Sequence, residues 1–207
     1  MNIKKDGSVS FILGSNSIKK TKICMKIIKD LSDIKYCKII VNNEYKKNKY
    51  KEVVSENIIY VNYNESIIKE FALRQKKMFS NRHNDYNTDR RGFLILDCAF
   101  DKDDLKNNLY YSFFNLCRTF SIILIIVFDY DFTFSSSIYS CIDNIFILNN
   151  SENRLRSIYE KISYDKLFRN YKNFREILYN YKKKHNGCML ISYPRSGKEK
   201  VNYNYYI

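Results

Sequence analysis

The sequence has few residues that interrupt regular secondary structure, and it has no long apolar run. Of its 207 residues, five are Gly, one is Pro and none is Trp. The longest uninterrupted apolar run is Ile122–Phe128, which is far shorter than the roughly 20 residues that cross a bilayer. Residues 1–10 are polar and charged and lack the apolar segment of a signal peptide. We therefore expect an intracellular protein with no membrane insertion.

Histidine is scarce, and cysteine never occurs in the spacing of a metal site. The two histidines, His83 and His185, are too far apart and too isolated to suggest a catalytic triad or a metal centre. The six cysteines are scattered without a Cys-x-x-Cys pair, at positions Cys24, Cys37, Cys98, Cys117, Cys141 and Cys188. This pattern excludes a zinc motif and a small disulfide scaffold. We expect reduced, mostly buried thiols and surface histidines.

Positive charge is abundant. Lys and Arg number 36 against 22 Asp and Glu, which gives a formal net charge of +14. Such a surface attracts nucleic acid or anionic lipid. A second explanation is equally open, because the abundant residues (Lys, Asn, Ile, Tyr, Phe) all have A/T-rich codons. The 45% hydrophobic content, with 19 Tyr and 14 Phe, predicts a packed core in either case.

Short apolar runs alternate with amphipathic stretches along the chain. Strands are predicted at Val9–Leu13, Cys37–Val41, Asn57–Tyr63, Gly92–Leu96, Ile122–Phe128, Asn144–Leu148 and Gly187–Tyr193, and helices at Ile18–Leu31, Glu65–Phe79, Asp101–Arg118, Ser151–Ile162 and Tyr164–Lys184. Between them, Lys46–Lys51 is predicted to be a solvated basic loop, and Ser80–Arg91 an exposed loop. The pattern predicts one α/β domain over residues 1–207, with a mainly parallel sheet and a C-terminal helical part from about residue 151.

The turn after the first predicted strand is similar to a phosphate-binding loop. The pattern Gly-x4-Gly-Lys-[Ser/Thr] is matched except at its second Gly, by Gly14, Ser15, Asn16, Ser17, Ile18, Lys19, Lys20 and Thr21. In such a loop backbone N–H groups surround the phosphates, a Lys neutralises their charge and a hydroxyl binds Mg²⁺. Lys19 replaces the Gly that allows close approach of the backbone. An ordinary polar strand-to-helix turn remains the alternative.

A phosphate-binding loop needs a further carboxylate at the end of a neighbouring strand to hold the Mg²⁺ shell. Asp97 directly follows the apolar run Phe93–Leu96 and is the candidate. The next residue is Cys98, which cannot act as the general base for water. Asp97 could instead cap the start of the helical region that follows. If a replacement acid exists, Asp101 and Asp103 are the nearest.

The order of these motifs resembles the FtsK/HerA-type DNA-packaging ATPases of poxviruses and other large DNA viruses, over most of the chain. The resemblance is carried by Gly14 with Lys20-Thr21, by Leu94–Asp97, by the helix end Phe113–Arg118, by the apolar run Ile122–Phe128 and by the strand-like segment Ile142–Leu148. It implies a three-layer P-loop NTPase-like sandwich. It also implies ATP and Mg²⁺ as cofactors, double-stranded DNA as a partner, and assembly into a homo-oligomer or with other viral proteins, in the host cytoplasm or the virion.

By this resemblance Lys20, Asp97 and Arg118 are the catalytic candidates, residues 14–21 bind nucleotide, and Thr21 and Asp97 hold the metal. The departures from the family fall at catalytic positions: Lys19, Cys98, Thr119 in place of His, Asp129 in place of Gln, and Ser137–Tyr139 where Arg is common. They indicate an ATPase with impaired or lost hydrolysis and weakened nucleotide and Mg²⁺ binding. Two alternatives stay open: a non-enzymatic virion or replication protein, and a basic α/β nucleic-acid-binding protein without nucleotide.

Two further features each allow two interpretations. Arg118 could reach the phosphate of a neighbouring subunit, or it could form a structural salt bridge at its helix end. The predicted helix Tyr164–Lys184 interleaves aromatic with basic residues and ends in Lys182–Lys184. It could bind nucleic acid, although we prefer the interpretation of a packed aromatic face opposite a solvated basic face.

Overall fold

The computed structural model describes residues 6–80, 89–99, 108–128, 136–148, 150–162, 167–185, 188–193 and 201–206. The strands in these ranges are β1 Ser8–Leu13, β2 Tyr36–Val41, β3 Ile59–Val61, β4 Gly92–Asp97, β5 Ile122–Phe128, β6 Asn144–Ile147, β7 Cys188–Ser192 and β8 Asn202–Tyr206. The helices are α1 Ser17–Asp30, α2 Glu44–Tyr50, α3 Glu65–Ser80, α4 Asn108–Thr119, α5 Ser136–Tyr139, α6 Glu152–Ile162 and α7 Tyr171–His185.

The eight strands form one sheet in the order β3-β2-β4-β5-β1-β6-β7-β8. The first six strands of this order run parallel, and β7 and β8 are antiparallel to their neighbours. Continuous apolar runs such as β5 are buried along their whole length, as expected for parallel strands covered on both faces. The predicted mainly parallel α/β sheet is therefore confirmed.

Alternate side chains of each strand enter two apolar layers. On one face, Ile12 and Ile125 pack with α1 and with Tyr50 of α2. On the other face, Phe11 and Ile126 pack with residues of α3, α4, α6 and α7. The sheet thus lies between two helical layers, which gives the three-layer sandwich predicted for the chain. Among the described helices, none is long and apolar enough to span a membrane.

Several predicted elements differ from the structure. The prediction of a solvated loop at Lys46–Lys51 is wrong, because Glu44–Tyr50 is the helix α2 and two of its side chains are buried. The third strand covers only Ile59–Val61 and follows a short 3₁₀ turn. Strand β8 was not predicted, because its Asn and Tyr residues give no apolar run. The described residues after 151 therefore form two strands, β7 and β8, as well as two helices.

Candidate functional site at the carboxyl edge of the sheet

The carboxyl ends of the central strands bring the predicted site residues together. The register pairs Leu13 of β1 with Phe128 of β5, and Val127 of β5 with Asp97 of β4. Strand β5 therefore lies between the strand that leads into residues 14–21 and the strand that ends at Asp97. Helix α2 follows β2 at the same edge and completes the surroundings of Asp97.

The connection from β1 to α1 is shorter than an eight-residue phosphate loop. Helix α1 begins at Ser17, and Asn16 is its N-cap, whose side chain accepts a hydrogen bond from the backbone N–H of Lys19 at 2.9 Å. The N–H of Lys20 donates to the carbonyl of Asn16 at 3.1 Å. Only residues 14–16 lie outside regular structure, and residues 17–21 form the first helical turns. Asparagine favours this early start because its short side chain satisfies a free N–H of the first turn.

Gly14 is required by close packing rather than by a left-handed backbone. A Cβ added at this position would lie 2.7 Å from the Cβ of Leu148, just beyond β6. The backbones leaving β1 and β6 are also joined by a hydrogen bond from the Leu148 N–H to the Leu13 carbonyl, at 2.8 Å. Glycine is therefore required at position 14 because the backbones leaving β1 and β6 lie close together.

Lys20 is fully buried, and its ammonium is bound to the end of β5. Its Nζ donates to the carbonyl oxygen of Phe128 at 2.6 Å. A buried ammonium needs such acceptors, because desolvation without a partner is costly. In this conformation the ammonium that would neutralise a phosphate is bound at the carboxyl end of β5.

Thr21 and Asp97, which are 76 residues apart in the chain, are in direct contact. The Thr21 hydroxyl donates to Oδ2 of Asp97 at 3.0 Å, and both residues are buried. The structure thus brings together the two residues that the sequence paired as a metal site. The alternative in which Asp97 caps the following helix falls on residues 100–107, which lie outside the described part of the chain.

Two residues that the sequence analysis missed complete the environment of Asp97. From α2, the Lys46 ammonium lies 2.9 Å from Asp97 Oδ1, and the Tyr50 hydroxyl donates to Oδ2 at 2.8 Å. Asp97 is 0% exposed and Lys46 is 3% exposed. The signal that could have revealed them is the pair Asn42-Asn43 before an i, i+4 spacing of Lys46 and Tyr50. Asn43 caps α2 by accepting from the N–H of Lys46.

Burial and the negative charge of Asp97 change the pKa values of the groups around this carboxylate. Burial is the largest cause that raises the pKa of the Tyr50 hydroxyl, and the negative charge of Asp97 adds to it. The pKa of the Cys24 thiol is raised by the same two effects. Burial by itself would lower the pKa of Lys46, but Asp97 and Cys98 raise it above its ordinary value. Lys46 is therefore charged, while Tyr50 and Cys24 are neutral.

Cys98 occupies the position where the general base was expected. Its backbone is left-handed, with φ of 58°, and this conformation costs a non-glycine residue roughly 1–2 kcal/mol. Burial is the first cause that raises the pKa of its thiol, and the charge of Asp97 is the second. A neutral thiol cannot take a proton from water, so Cys98 supplies no base.

Arg118 lies at the opposite edge of the sheet, near the amino ends of β1 and β5. Its guanidinium contacts Oδ1 of Asp143 at 3.4 Å and the carbonyl of Cys141 at 3.2 Å. The other carboxylate oxygen of Asp143 accepts from the N–H of Val9 at 2.9 Å. The structure therefore shows the salt bridge at the helix end, and within one chain it separates Arg118 from Lys20, Thr21 and Asp97.

Several candidates fall outside the described residues. They are Asp101, Asp103, Asp129, His83 and the side chains of Ser137, His185 and Lys182–Lys184. Of the aromatic residues near α7, Phe168 and Phe174 are buried and in ring contact, whereas Tyr179 is exposed. For these two phenylalanines the packed aromatic face is the correct interpretation.

The residues around Asp97 do not fit a magnesium ion in this arrangement. Mg²⁺ requires near-octahedral oxygen ligands at about 2.0–2.1 Å and retains several waters. Both oxygens of Asp97 already accept hydrogen bonds, and one of them faces the ammonium of Lys46. A second cation would lie beside that ammonium in a fully buried space, where like charges repel strongly. Among the described residues no cluster of three or more His, Cys, Asp or Glu suggests another metal centre.

Comparison with solved structures identifies the fold. B204, the DNA-packaging ATPase from Sulfolobus turreted icosahedral virus, is similar over 97% of this chain and 98% of its own, with 15% identity and a TM-score of 0.58. The genome-packaging NTPase B204 from Sulfolobus turreted icosahedral virus 2 is similar in its complex with AMPPCP, with 18% identity, 97% of both chains covered and a TM-score of 0.56. The chain has the fold of a viral genome-packaging ATPase.

The similarity to these packaging ATPases extends over nearly the whole chain. The complex of the same NTPase with sulfate is similar over 97% of this chain and 96% of its own, with 19% identity and a TM-score of 0.57. No family model matches the chain, and no curated protein matches it. The likeness is thus one of fold, and the chemistry of the site has to be argued from the residues present.

Proposed function

We propose that this chain is a genome-packaging protein of a DNA virus that binds a nucleoside triphosphate weakly at residues 14–21 and has lost efficient hydrolysis. The observation that carries the proposal is the meeting of Lys20, Thr21 and Asp97 at the carboxyl edge of a sheet with the packaging-ATPase fold. A triphosphate would bind at the start of α1, where N–H groups and the helix dipole favour an anion.

Loss of hydrolysis follows from the surroundings of Asp97. Hydrolysis needs a group that activates water next to the phosphate. Cys98 is neutral at that position, and Asp97 itself is held by Thr21, Lys46 and Tyr50. The described residues at this edge therefore offer no free carboxylate for the reaction.

The proposal includes double-stranded DNA and further copies of the chain or other viral proteins as partners. B204 is named as a DNA-packaging ATPase, and the net charge of +14 suits a polyanion. The chain would act as one P-loop NTPase-like domain over residues 1–207, in the host cytoplasm or the virion. If Arg118 acts as a trans finger, its exposed guanidinium would reach the nucleotide of the next copy.

Nucleotide binding tests the proposal directly. Titration of a fluorescent ATP analogue should give saturable binding that Lys20→Ala weakens by about tenfold or more, equivalent to at least about 1.4 kcal/mol. Lys22→Ala is the matched control, because Lys22 lies on the same helix and is exposed; it should bind as the wild type does. Circular dichroism would verify that all three proteins are folded.

Hydrolysis and DNA binding complete the test. We expect no phosphate release above background, with or without double-stranded DNA, and DNA affinity that falls steeply with salt. Steady DNA-stimulated hydrolysis that Lys20→Ala abolishes would contradict the loss of catalysis. Absence of any nucleotide binding would contradict the nucleotide site.

The nucleotide-independent alternative is favoured by one observation. Helix α1 begins at Ser17, so residues 17–21 are helical and do not form an extended loop around a phosphate. In that alternative the chain retains the fold and binds DNA through its basic surface alone. Salt-dependent DNA binding without any effect of ATP on DNA affinity would support it.

A further inference from the structure

The strongest feature that the proposed function leaves unexplained is the buried pair of Lys46 and Asp97. The ammonium of Lys46 lies 2.9 Å from Oδ1, while Thr21 and Tyr50 both donate to Oδ2. Every oxygen of this carboxylate therefore has a partner from the protein. No part of a phosphate-binding loop requires a lysine at this place.

The position of Lys46 is fixed by its own helix. Asn43 accepts from the N–H of Lys46 and so sets the first turn of α2 directly after β2. One turn later Tyr50 is fully buried against the same carboxylate. Because both ends of the short helix are tied in this way, the helix places the ammonium of Lys46 beside Asp97.

Charge balance indicates what this ammonium does. Asp97 contributes one negative charge to the buried space, and Lys46 neutralises it. Lys20, on the neighbouring helix, adds a further positive charge that also acts on Cys98. A triphosphate arriving at residues 14–21 would therefore meet two ammonium groups and a carboxylate that is already paired. A divalent cation would add charge where a compact monovalent cation is already bound.

We propose that Lys46 takes the place of the divalent cation, so that this site binds a nucleoside triphosphate without Mg²⁺. This inference rests on the proposed nucleotide site, whose Mg²⁺ requirement it removes. The ammonium of Lys46 neutralises Asp97, and the phosphates would be bound by the start of α1 and by Lys20 once its ammonium exchanges the Phe128 carbonyl for a phosphate oxygen.

The first test compares wild-type protein with and without the metal. Calorimetric titration with ATP in excess MgCl₂ and in EDTA should give dissociation constants that differ by less than about threefold. ATP binding that is tighter by about tenfold or more with Mg²⁺ than in EDTA would overturn the inference. This comparison needs no variant, so it holds even if a substitution at position 46 prevents folding.

The second test asks whether removal of Lys46 creates a metal requirement. Lys46→Met should bind ATP about tenfold or more tightly with Mg²⁺ than in EDTA, because Asp97 is then open to the ion. Lys49→Met is the matched control, since Lys49 lies on the same helix and pairs with Glu52 at the surface. It should remain as independent of Mg²⁺ as the wild type. A folded Lys46→Met that remains Mg²⁺-independent would overturn the inference.

A third measurement separates this inference from the proposed function, because it uses no nucleotide. Mn²⁺ titration followed by electron paramagnetic resonance should show the same binding in wild-type protein and in Asp97→Asn. Mn²⁺ binding to the wild type that Asp97→Asn removes would overturn the inference, whether or not ATP binds. Failure of ATP to bind, with Mn²⁺ binding unaffected by Asp97→Asn, would refute the nucleotide site and still support the absence of a metal at Asp97.

Discussion

Lys46 and Asp97 are 51 residues apart in the chain, and their charged atoms lie 2.9 Å apart with both residues buried. The pair ties α2 to the carboxyl end of β4, which is an interior strand of the sheet. A buried ion pair gives little net stability compared with an apolar replacement of both partners, but loss of one partner is costly. The stability of this edge should therefore depend on both residues together.

Replacement of Lys46 by Met removes the charge and keeps the volume. Because Asp97 is then left buried without a cation, we expect the free energy of unfolding to fall by about 3–5 kcal/mol. Urea denaturation followed by circular dichroism measures it. Lys49→Met should change the midpoint little, because its pair with Glu52 is at the surface.

The double variant Lys46→Met, Asp97→Asn decides whether the loss arises from the unpaired charge. Asn keeps an acceptor for Thr21 and Tyr50, so we expect the double variant to recover most of the stability lost in Lys46→Met. Equal instability of the single and double variants would show that packing of the Lys46 side chain, and not its charge, is what matters.

Gly14→Ala should destabilise the protein by about 1–3 kcal/mol, because the new methyl would lie 2.7 Å from the Cβ of Leu148. Ser15→Ala, at an exposed neighbouring position, serves as the control and should have little effect. Since the nearest atom is the Cβ of Leu148, a Leu148→Ala background should leave most of the penalty and a Leu148→Gly background should remove it. Thermal unfolding with and without Gly14→Ala in the wild-type, Leu148→Ala and Leu148→Gly backgrounds provides the comparison.

Much of the fold could be predicted because the central strands are uninterrupted apolar runs. Strand β5 was predicted with the bounds that the structure has, and β4 to within one residue. Parallel strands covered on both faces favour nearly continuous apolar runs, which is why β4 and β5 stand out in the sequence. The contact between Thr21 and Asp97 could also be expected, because Thr21 follows β1 and Asp97 ends β4, and the carboxyl ends of both strands lie on the same side of the sheet.

The environment of that pair could not be predicted from local pattern. Helix α2 contains almost only polar residues, so its composition resembles a surface loop. Lys46 is buried only because Asp97 approaches it from a strand 51 residues away, and no local property of the sequence encodes that contact. The loop pattern at residues 14–21 was likewise overridden, because Asn16 caps a helix that begins three residues before Lys20.

Arg118→Ala should leave the protein folded, with a loss of only about 0.5–1 kcal/mol, because the guanidinium is partly exposed. Asp143→Ala should cost more, about 1–3 kcal/mol, since the buried N–H of Val9 then loses its acceptor. Chemical denaturation of both variants measures the difference. Equal losses would show that the ion pair, and not the hydrogen bond to Val9, is what Asp143 contributes.

Stability should fall at alkaline pH because of the buried thiols. Burial raises the pKa of Cys188 to about 12, whereas an unfolded thiol titrates near pH 8.5. Below about pH 8.5 the thiol is protonated in both states, so its contribution is constant. Above that pH the unfolded state loses the proton first, and the free energy of unfolding should fall by up to about 1.4 kcal/mol per pH unit for this thiol. Cys24 and Cys117, whose pKa values burial also raises, act in the same direction.

Urea midpoints between pH 7 and about pH 10, measured with a reductant present, test this dependence; the Cys188→Ala variant separates the thiol from unfolded Tyr, which begins to titrate in the upper part of this range. In Cys188→Ala the free energy of unfolding should fall less steeply at alkaline pH, by the contribution of one thiol. The same variant should be less stable than the wild type at neutral pH. An alkaline slope unchanged in Cys188→Ala would contradict the assignment to this residue. A midpoint that stays level up to pH 10 in the wild type would mean that the thiols ionise as readily in the folded protein as in the unfolded chain.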